Sequence, residues 1–147
     1  MNSGASGESP APEGSPTIRT VIHALTEHRA IDVVVLDLRQ LSDATDYFII
    51  ASGSSDTHVR ALAERVMEAC TKEGRRPHHI EGLTGGRWVL LDYVDFVVHV
   101  FSEKARKYYD LERLWKSAKR LEPSELKPAR KRATRPPSPR ARKRTKG

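Results

Sequence analysis

The sequence predicts an α/β (α+β) fold, a mixed five-stranded sheet with helices packed on it. Five short runs are rich in β-branched and aromatic residues, which are typical of strands. They alternate with three longer stretches in which apolar residues recur at helical spacing. The strand runs are apolar on both faces, as expected where helices cover at least part of a sheet. The predicted order is helix, two strands, helix, three strands, helix.

The first half of this order covers residues 17–73. A helix is predicted over 17–30, because a Ser-Pro-Thr start signal precedes an apolar stripe of Ile18, Val21, Ile22 and Leu25. Apolar, β-branched runs predict strands over 31–38 and 47–51. Ser55 or Asp56 then caps a second helix, which Gly74 ends. Its apolar face comprises Val59, Leu62, Ala63, Val66, Met67 and Cys70.

The second half begins with a short strand over 77–80, where a proline suits an edge or a strand start. A turn over 82–86 follows. Strands over 88–91 and 96–101 are separated by only four residues, which predicts a hairpin. A final helix is predicted over 104–121, on a helical stripe of Tyr108, Leu111, Leu114, Trp115 and Ala118.

The net charge of +7 belongs to one end of the chain. Residues 123–147 hold ten of the 26 basic residues and one of the 19 acidic residues, a balance of +9, so residues 1–122 balance to −2. Residues 1–16 are rich in Pro, Gly and Ser. Neither end can bury enough apolar surface to offset its ordering entropy. We therefore expect one folded domain over 17–122, between a disordered N-terminal segment and a disordered basic tail.

The sequence also bears on the compartment. No run of about 20 predominantly apolar residues is present, so we expect a soluble protein. The N-terminus lacks a basic segment followed by an apolar core, so no secretory signal is expected. The single cysteine, Cys70, excludes an internal disulfide and is expected to serve packing rather than catalysis. Together these features favour a cytoplasmic protein.

The turn Ser52–Ser55 is the most suggestive catalytic feature. It follows a strand and precedes a helix, where backbone amides can hold an anion. Nucleotidyltransferases use such a turn together with two acids on a nearby strand that hold magnesium. Here none of the predicted strands that follow the turn carries such an acid pair, and Asp37 and Asp46 precede the turn. Without paired carboxylates nothing evident holds the metal that phosphoryl transfer needs. We predict no enzymatic activity and no cofactor, and a capped small-residue turn.

The six histidines do not predict a metal site. His78 and His79 are adjacent, so on a strand they point to opposite faces. No Cys/His cluster has zinc spacing. His99 alternates within an apolar strand and is predicted to be a hydrogen-bonded histidine of the sheet.

The strand that begins at Trp88 has two alternating faces, one with Trp88, Leu90 and Asp92 and the other with Val89, Leu91 and Tyr93. If the second face meets the helices, Trp88 and Leu90 form an exposed apolar patch. An exposed Trp with a polar rim is typical of a protein-binding hot spot. The alternative is that Trp88 belongs to the core. Asp92 and Asp95 flank the turn that follows, where acids usually cap turns.

Five motifs occur in order along the chain: Ile31–Leu38, Thr45–Ser55, Glu81-Gly82 with Trp88–Tyr93, Asp95–Phe101 and Arg106–Trp115. Together they resemble the Iojap family of ribosomal silencing factors, and the resemblance covers residues 17–118. It implies a fold like that of nucleotidyltransferases, without their catalytic acids. It also implies binding to a large-subunit ribosomal protein (uL14 type) on the intersubunit face. Such binding would block the small subunit and lower translation when nutrients are scarce.

The resemblance implies candidate partner-binding residues, which are Glu81, Gly82, Trp88, Leu90, Asp92 and Tyr93, with Arg106 and Tyr108 as weaker candidates. For each of these the alternative is a role in the fold, especially for Gly82 and Tyr108. A homodimer off the ribosome is compatible with the resemblance. Two other functions stay open, a large-subunit biogenesis factor and a nucleotidyltransferase-related enzyme.

The basic tail offers a second contact with the ribosome. Its cations could meet phosphates of ribosomal RNA regardless of base sequence, and no aromatic residue is present for base stacking. The alternative is a solvated tail with no dedicated role. The candidate residues are Arg130, Lys131, Arg132, Arg142, Lys143 and Arg144.

One residue departs from the family pattern. The family usually has glycine where this chain has Val94. A β-branched residue disfavours positive φ, so the turn is expected either to avoid that geometry or to accept strain.

Overall fold

The computed structural model describes residues 16–123. The two ends that were expected to be disordered, 1–16 and 123–147, lie outside the described residues apart from Pro16 and Pro123. In chain order the elements are α1 (Pro16–Glu27), β1 (Ile31–Asp37), β2 (Tyr47–Gly53), α2 (Asp56–Lys72), β3 (His79–Glu81), β4 (Trp88–Asp92), β5 (Phe96–Ser102), α3 (Glu103–Tyr109), α4 (Leu111–Leu114) and β6 (Lys119–Leu121).

The strands form one mixed sheet in the order β3-β4-β5-β2-β1-β6. β2 and β5 run parallel, and the other neighbouring pairs are antiparallel. The predicted α/β class, the mixed sheet and the β4–β5 hairpin are confirmed. The sheet has six strands rather than the five that were predicted.

Helices α1 and α2 cover one face of the sheet, where they bury the larger core. This core joins the apolar stripes of both helices to the alternate residues of the strands, among them Val35, Ile49, Val89, Leu91 and Val98. The free thiol of Cys70 lies in this core, and burial raises its pKa to about 11. The thiol is therefore protonated at neutral pH and contributes packing, as predicted.

A smaller apolar cluster lies on the opposite face. Strand residues such as Leu36, Ile50 and Phe101 pack there against Ala105 of α3, and Leu111 and Trp115 are partly buried beside them. α3 contacts β5 and β2. This face is therefore covered by short elements at the C-terminal end of the described chain.

The prediction of one helix over 104–121 was wrong. Asp110 adopts the left-handed conformation (φ 46°, ψ 53°), which ends α3, and α4 is only four residues long. Residues 119–121 instead form β6, which pairs with the outer edge of β1 and buries Leu121. An open edge of a sheet leaves backbone donors and acceptors unpaired, and this demand outweighs the helical spacing of the sequence.

The turn between β4 and β5 accepts an unfavourable backbone geometry. Val94 has φ of +78°, and the Asp95 amide donates to the carbonyl oxygen of Tyr93 at 3.0 Å, as in a γ-turn. The Asp92 side chain accepts a hydrogen bond from the Val94 amide at 2.8 Å. Of the two outcomes expected for Val94, the second is the one observed, and Asp92 caps the turn as predicted.

Candidate partner-binding surface

The face of the sheet beneath α3 is left partly uncovered along β3 and β4. Cross-strand neighbours point to the same side of a sheet, and Glu81 pairs with Leu90. Within β4, Trp88, Leu90 and Asp92 are half-exposed while Val89 and Leu91 are buried against the helices. Four side chains therefore share one accessible surface, which we call the open strip: Glu81, Trp88, Leu90 and Asp92.

The indole of Trp88 is half-buried and held on three sides. It stacks on Phe101 with ring centroids 4.9 Å apart and meets Tyr109 at 4.7 Å. Its Nε1 donates a hydrogen bond to Nδ1 of His99 at 3.1 Å. The structure thus lies between the two alternatives considered for Trp88, since the ring packs against the sheet and Tyr109 and yet stays partly exposed.

A groove of about 420 Å³ adjoins the indole. Its lining includes three aromatic side chains and two cations: Arg87, Trp88, Ser102, Lys104, Ala105, Tyr108 and Tyr109. The side chain of Tyr108 is 81% exposed, so it is available for contact. Tyr109, Arg87 and Lys104 were missed by the sequence reasoning, and the only signal for them was their closeness in sequence to Trp88 and Tyr108.

Two of the predicted binding residues have structural positions instead. Tyr93 is 2% exposed and stacks on Phe96 at 4.8 Å on the helix-covered face, so it does not reach a partner directly. Gly82 has φ of +78°, and a Cβ there would collide with the carbonyl oxygen of Trp88. Gly82 therefore permits the chain to pass close to the start of β4, and its contribution to the open strip is indirect.

Arg106 also lies away from the open strip. Its guanidinium pairs with Glu112 at 3.0 Å and donates to the carbonyl oxygen of Ile31 at 3.2 Å and to the hydroxyl of Ser52 at 3.0 Å. This pairing holds the pKa of the Glu112 carboxyl below its usual range. Arg106 therefore links α3 and α4 to the ends of β1 and β2, and so helps to hold α3, whose residues line the groove.

The Ser52–Ser55 turn uses its own side chains to satisfy the start of α2. The Ser55 hydroxyl accepts from the His58 amide at 3.0 Å, and His58 Nδ1 accepts from the Ser54 amide at 2.8 Å. The other nitrogen of His58 lies 2.9 Å from the carbonyl oxygen of His28. These amides are therefore already engaged within the chain, in agreement with the simpler interpretation of the turn.

Asp37, one of the two acids considered for catalysis, is paired within the chain. Asp37 pairs with Arg39 at 2.8 Å, and a side-chain hydrogen bond from Arg39 lowers the pKa of that carboxyl.

Across residues 16–123 no group of three or more His, Cys, Asp or Glu side chains is placed to hold a metal ion. Within the same range no helix has the length and apolar character to cross a membrane. His99 is a hydrogen-bonded histidine of the sheet, as predicted.

Comparisons with known proteins agree on one family. A family model described as "ribosomal silencing factor during starvation" matches residues 10–147. The ribosomal silencing factor RsfS of Bacillus subtilis is 41% identical over 95 residues, which cover 65% of this chain and 80% of that protein. A crystal structure of a Chromobacterium violaceum protein superposes with a TM-score of 0.68 at 35% identity, over 71% of this chain and 88% of the other.

A more distant relative carries a different name. It is the mouse protein called mitochondrial assembly of ribosomal large subunit protein 1, which is 29% identical over 104 residues, 67% of this chain and 44% of its own length. The family model and the bacterial relative agree with the resemblance that the five sequence motifs carry, and the fold agrees with the solved structure. The chain therefore belongs to the family of ribosomal silencing factors.

Proposed function

We propose that this chain acts in the cytoplasm by binding a large-subunit ribosomal protein of the uL14 type at the intersubunit face. The bound protein would occupy space that the small subunit needs, and translation would fall under nutrient limitation. Family membership supports a ribosomal target, and the resemblance of the sequence motifs supports the particular partner. The open strip is the observation in the structure that carries the proposal.

The open strip has the composition of a protein-binding site. A half-exposed Trp beside an aliphatic side chain, with carboxylates at its edge, offers apolar area that can be desolvated and polar groups that set orientation. The two acids, Glu81 and Asp92, suit a basic partner, as ribosomal proteins commonly are. The exposed Tyr108 and the groove beside it extend this surface toward α3.

The central test adds a charge to the open strip without removing core packing. Leu90→Glu should weaken binding to purified large subunits about 100-fold, because the contact would have to desolvate a carboxylate in place of the apolar side chain at the centre of the strip. Leu41→Glu is the matched control, since Leu41 is 46% exposed in the β1–β2 connection, away from the open strip. Sedimentation with large subunits measures both. Equal loss in the two variants, or no loss in Leu90→Glu, would move the binding site elsewhere.

A functional readout complements binding. Mature large and small subunits are mixed with the protein, and the yield of joined ribosomes is measured by sedimentation. We expect the unchanged chain to lower that yield, and folded Trp88→Ala to leave it unchanged. An undiminished effect of folded Trp88→Ala would exclude the open strip as the site of action.

A second candidate function is assistance in large-subunit assembly, and the name of the mouse relative favours it. An assembly factor would act on immature particles and would not lower joining of mature subunits. A nucleotidyltransferase-related activity is separated by assaying binding of nucleoside triphosphate with magnesium, for which we expect no signal. The homodimer and the tail contact with ribosomal RNA stay predictions, and the tail contact is tested by the truncation described in the Discussion.

A further inference from the structure

His99 is a buried polar group beside the open strip. It lies in the middle of β5, opposite Leu90 of β4 on one side and Ile50 of β2 on the other. Its side chain is 3% exposed and is surrounded by aromatic rings, with Phe48 edge-on at 4.4 Å and Phe101 stacked at 6.2 Å. A histidine in such a position needs a reason, because an apolar side chain would fill the same space without carrying polar atoms.

The hydrogen bond from Trp88 fixes the tautomer of this histidine. An indole N–H can only donate, so Nδ1 of His99 must accept and the proton must lie on Nε2. Nε2 is buried and has no hydrogen-bond partner among the described residues. Burial also lowers the pKa of the imidazole to about 3, so the ring stays neutral and keeps its acceptor at physiological pH. The imidazole thus leaves one buried donor unsatisfied and presents one acceptor to Trp88.

The other contacts of the indole do not fix its orientation. Phe101 stacks on the indole and Tyr109 contacts it at a tilt, and neither contact prevents a flip of the ring about χ2. A flipped indole would still stack, but it would expose its N–H and present a different edge to the groove. The hydrogen bond to His99 is the directional contact that distinguishes these arrangements.

We propose that His99 is a positioning residue for binding, whose Nδ1 holds the indole of Trp88 in the orientation that the ribosomal partner recognises. This inference rests on the proposed function, since it assumes that the open strip is the contact surface. His99 itself touches no partner, because it is sealed beneath the sheet face by Trp88 and Phe48. Its effect on affinity arises from ordering Trp88 before binding, which lowers the entropy lost at the interface.

Two amide substitutions separate this role from packing. The side-chain oxygen of Asn occupies nearly the position of Nδ1, and that of Gln occupies nearly the position of Nε2. His99→Asn should therefore keep the acceptor for Trp88, whereas His99→Gln should lose it while remaining polar and closer in size to histidine. A purely structural role for His99 predicts the reverse order, since Asn leaves the larger void.

The direct readout is the indole N–H resonance of Trp88 in ¹⁵N-labelled protein, with Trp115→Phe used to assign the two tryptophan signals. We expect a hydrogen-bonded, downfield resonance in the unchanged chain and in His99→Asn, and an upfield shift in His99→Gln. Affinity for purified large subunits should stay within about twofold in His99→Asn and fall about tenfold in His99→Gln, the range of one neutral hydrogen bond.

A third variant removes the donor rather than the acceptor. Replacing Trp88 by 3-benzothienylalanine keeps the size and shape of the indole but removes its N–H. The replacement should lower affinity by about as much as His99→Gln does. It also keeps the inference testable if His99→Gln fails to fold. An unchanged resonance in folded His99→Gln, or full affinity of the benzothienyl protein, would overturn the inference. If the unchanged chain does not bind large subunits, the proposed function fails, and the resonance alone still decides whether His99 orients Trp88.

Discussion

Two glycines with the same backbone conformation allow the support beneath Trp88 to be tested. Gly82 has φ of +78° and Gly74 has φ of +77°. Gly74 follows the end of α2, where an added Cβ would meet nothing within 4 Å. At Gly82 the added Cβ would overlap the carbonyl oxygen of Trp88 and lie 3.1 Å from its carbonyl carbon. Replacement of each by alanine therefore differs in steric contact and not in backbone conformation.

The expected losses of stability follow from the backbone conformation and the steric contact. Alanine in the left-handed region destabilises the folded state by about 1–2 kcal/mol. It also stiffens the unfolded chain, which offsets roughly 0.4–1 kcal/mol of that loss. Gly74→Ala should thus lower the free energy of unfolding by about 1 kcal/mol. Gly82→Ala carries the same cost and also overpacks backbone against backbone, which adds roughly 1–3 kcal/mol or more. We expect a loss of about 3 kcal/mol at Gly82, or about 12 °C in the melting temperature, against about 4 °C at Gly74.

Urea denaturation at 25 °C and thermal unfolding measure both variants, and sedimentation with large subunits is then performed at a temperature where both are folded. Gly82→Ala should also weaken binding, because relief of the clash moves the start of β4 and with it Trp88. Gly74→Ala should bind as the unchanged chain does. If the two variants lose equal stability, close approach is not the reason for glycine at position 82, and the indirect role assigned to it is wrong.

Three further predictions concern other parts of the chain. Val94→Gly should raise the free energy of unfolding by about 1 kcal/mol, because the side chain is 58% exposed and its γ-turn conformation is strained. Val94→Ala, which keeps a Cβ, should raise it by less. A lower free energy of unfolding in Val94→Gly would contradict the strain. The pKa of His99 is about 3 in the folded chain and near 6.5 in the unfolded chain, so the unfolded state binds more protons below pH 6.5. The free energy of unfolding should therefore fall by about 2 kcal/mol between pH 7.5 and 5. The fall should be smaller in His99→Asn. Deleting 123–147 should leave the melting temperature unchanged and weaken large-subunit binding mainly at low salt; equal affinities across a salt series would exclude a role for the tail.

Much of the fold was legible in the sequence because the pattern of burial follows local periodicity. The alternation from Trp88 to Asp92 correctly separated the helix-covered side from the accessible side. The apolar stripe of α2 was predicted with Ser55 as one of its two candidate caps. The resemblance then supplied Glu81 and Leu90, which the pairing of β3 with β4 brings to the same face. These features depend on residues close in sequence or on one neighbouring strand, so a pattern can encode them.

The features that the sequence did not predict depend on distant parts of the chain. Lys119–Leu121 has helical spacing with the residues before it, yet it becomes a strand because the edge of β1 is available far earlier in the chain. Arg106 resembled a binding residue, but its partners include Ile31 and Ser52, more than 50 positions away. For Gly82 a role in the fold was the stated alternative, but its contact with the Trp88 backbone could not be predicted from the sequence. Such contacts arise from topology, which local patterns do not specify.

The structure suggests why an aromatic surface in this fold is built on a sheet. Under the proposed function the protein acts by occupying space, so its effect depends on affinity and on rigid placement at one site. In this chain the Trp88 side chain lies on β4, stacks on Phe101, contacts Tyr109 and is hydrogen-bonded to His99 of the neighbouring strand. Phe101 and His99 lie in the sheet and Tyr109 lies in α3, so these side chains order Trp88 before binding. Binding would therefore cost little further conformational entropy of that side chain. A loop presenting the same tryptophan would bury as much apolar area but would bind more weakly, because binding would also have to order the loop.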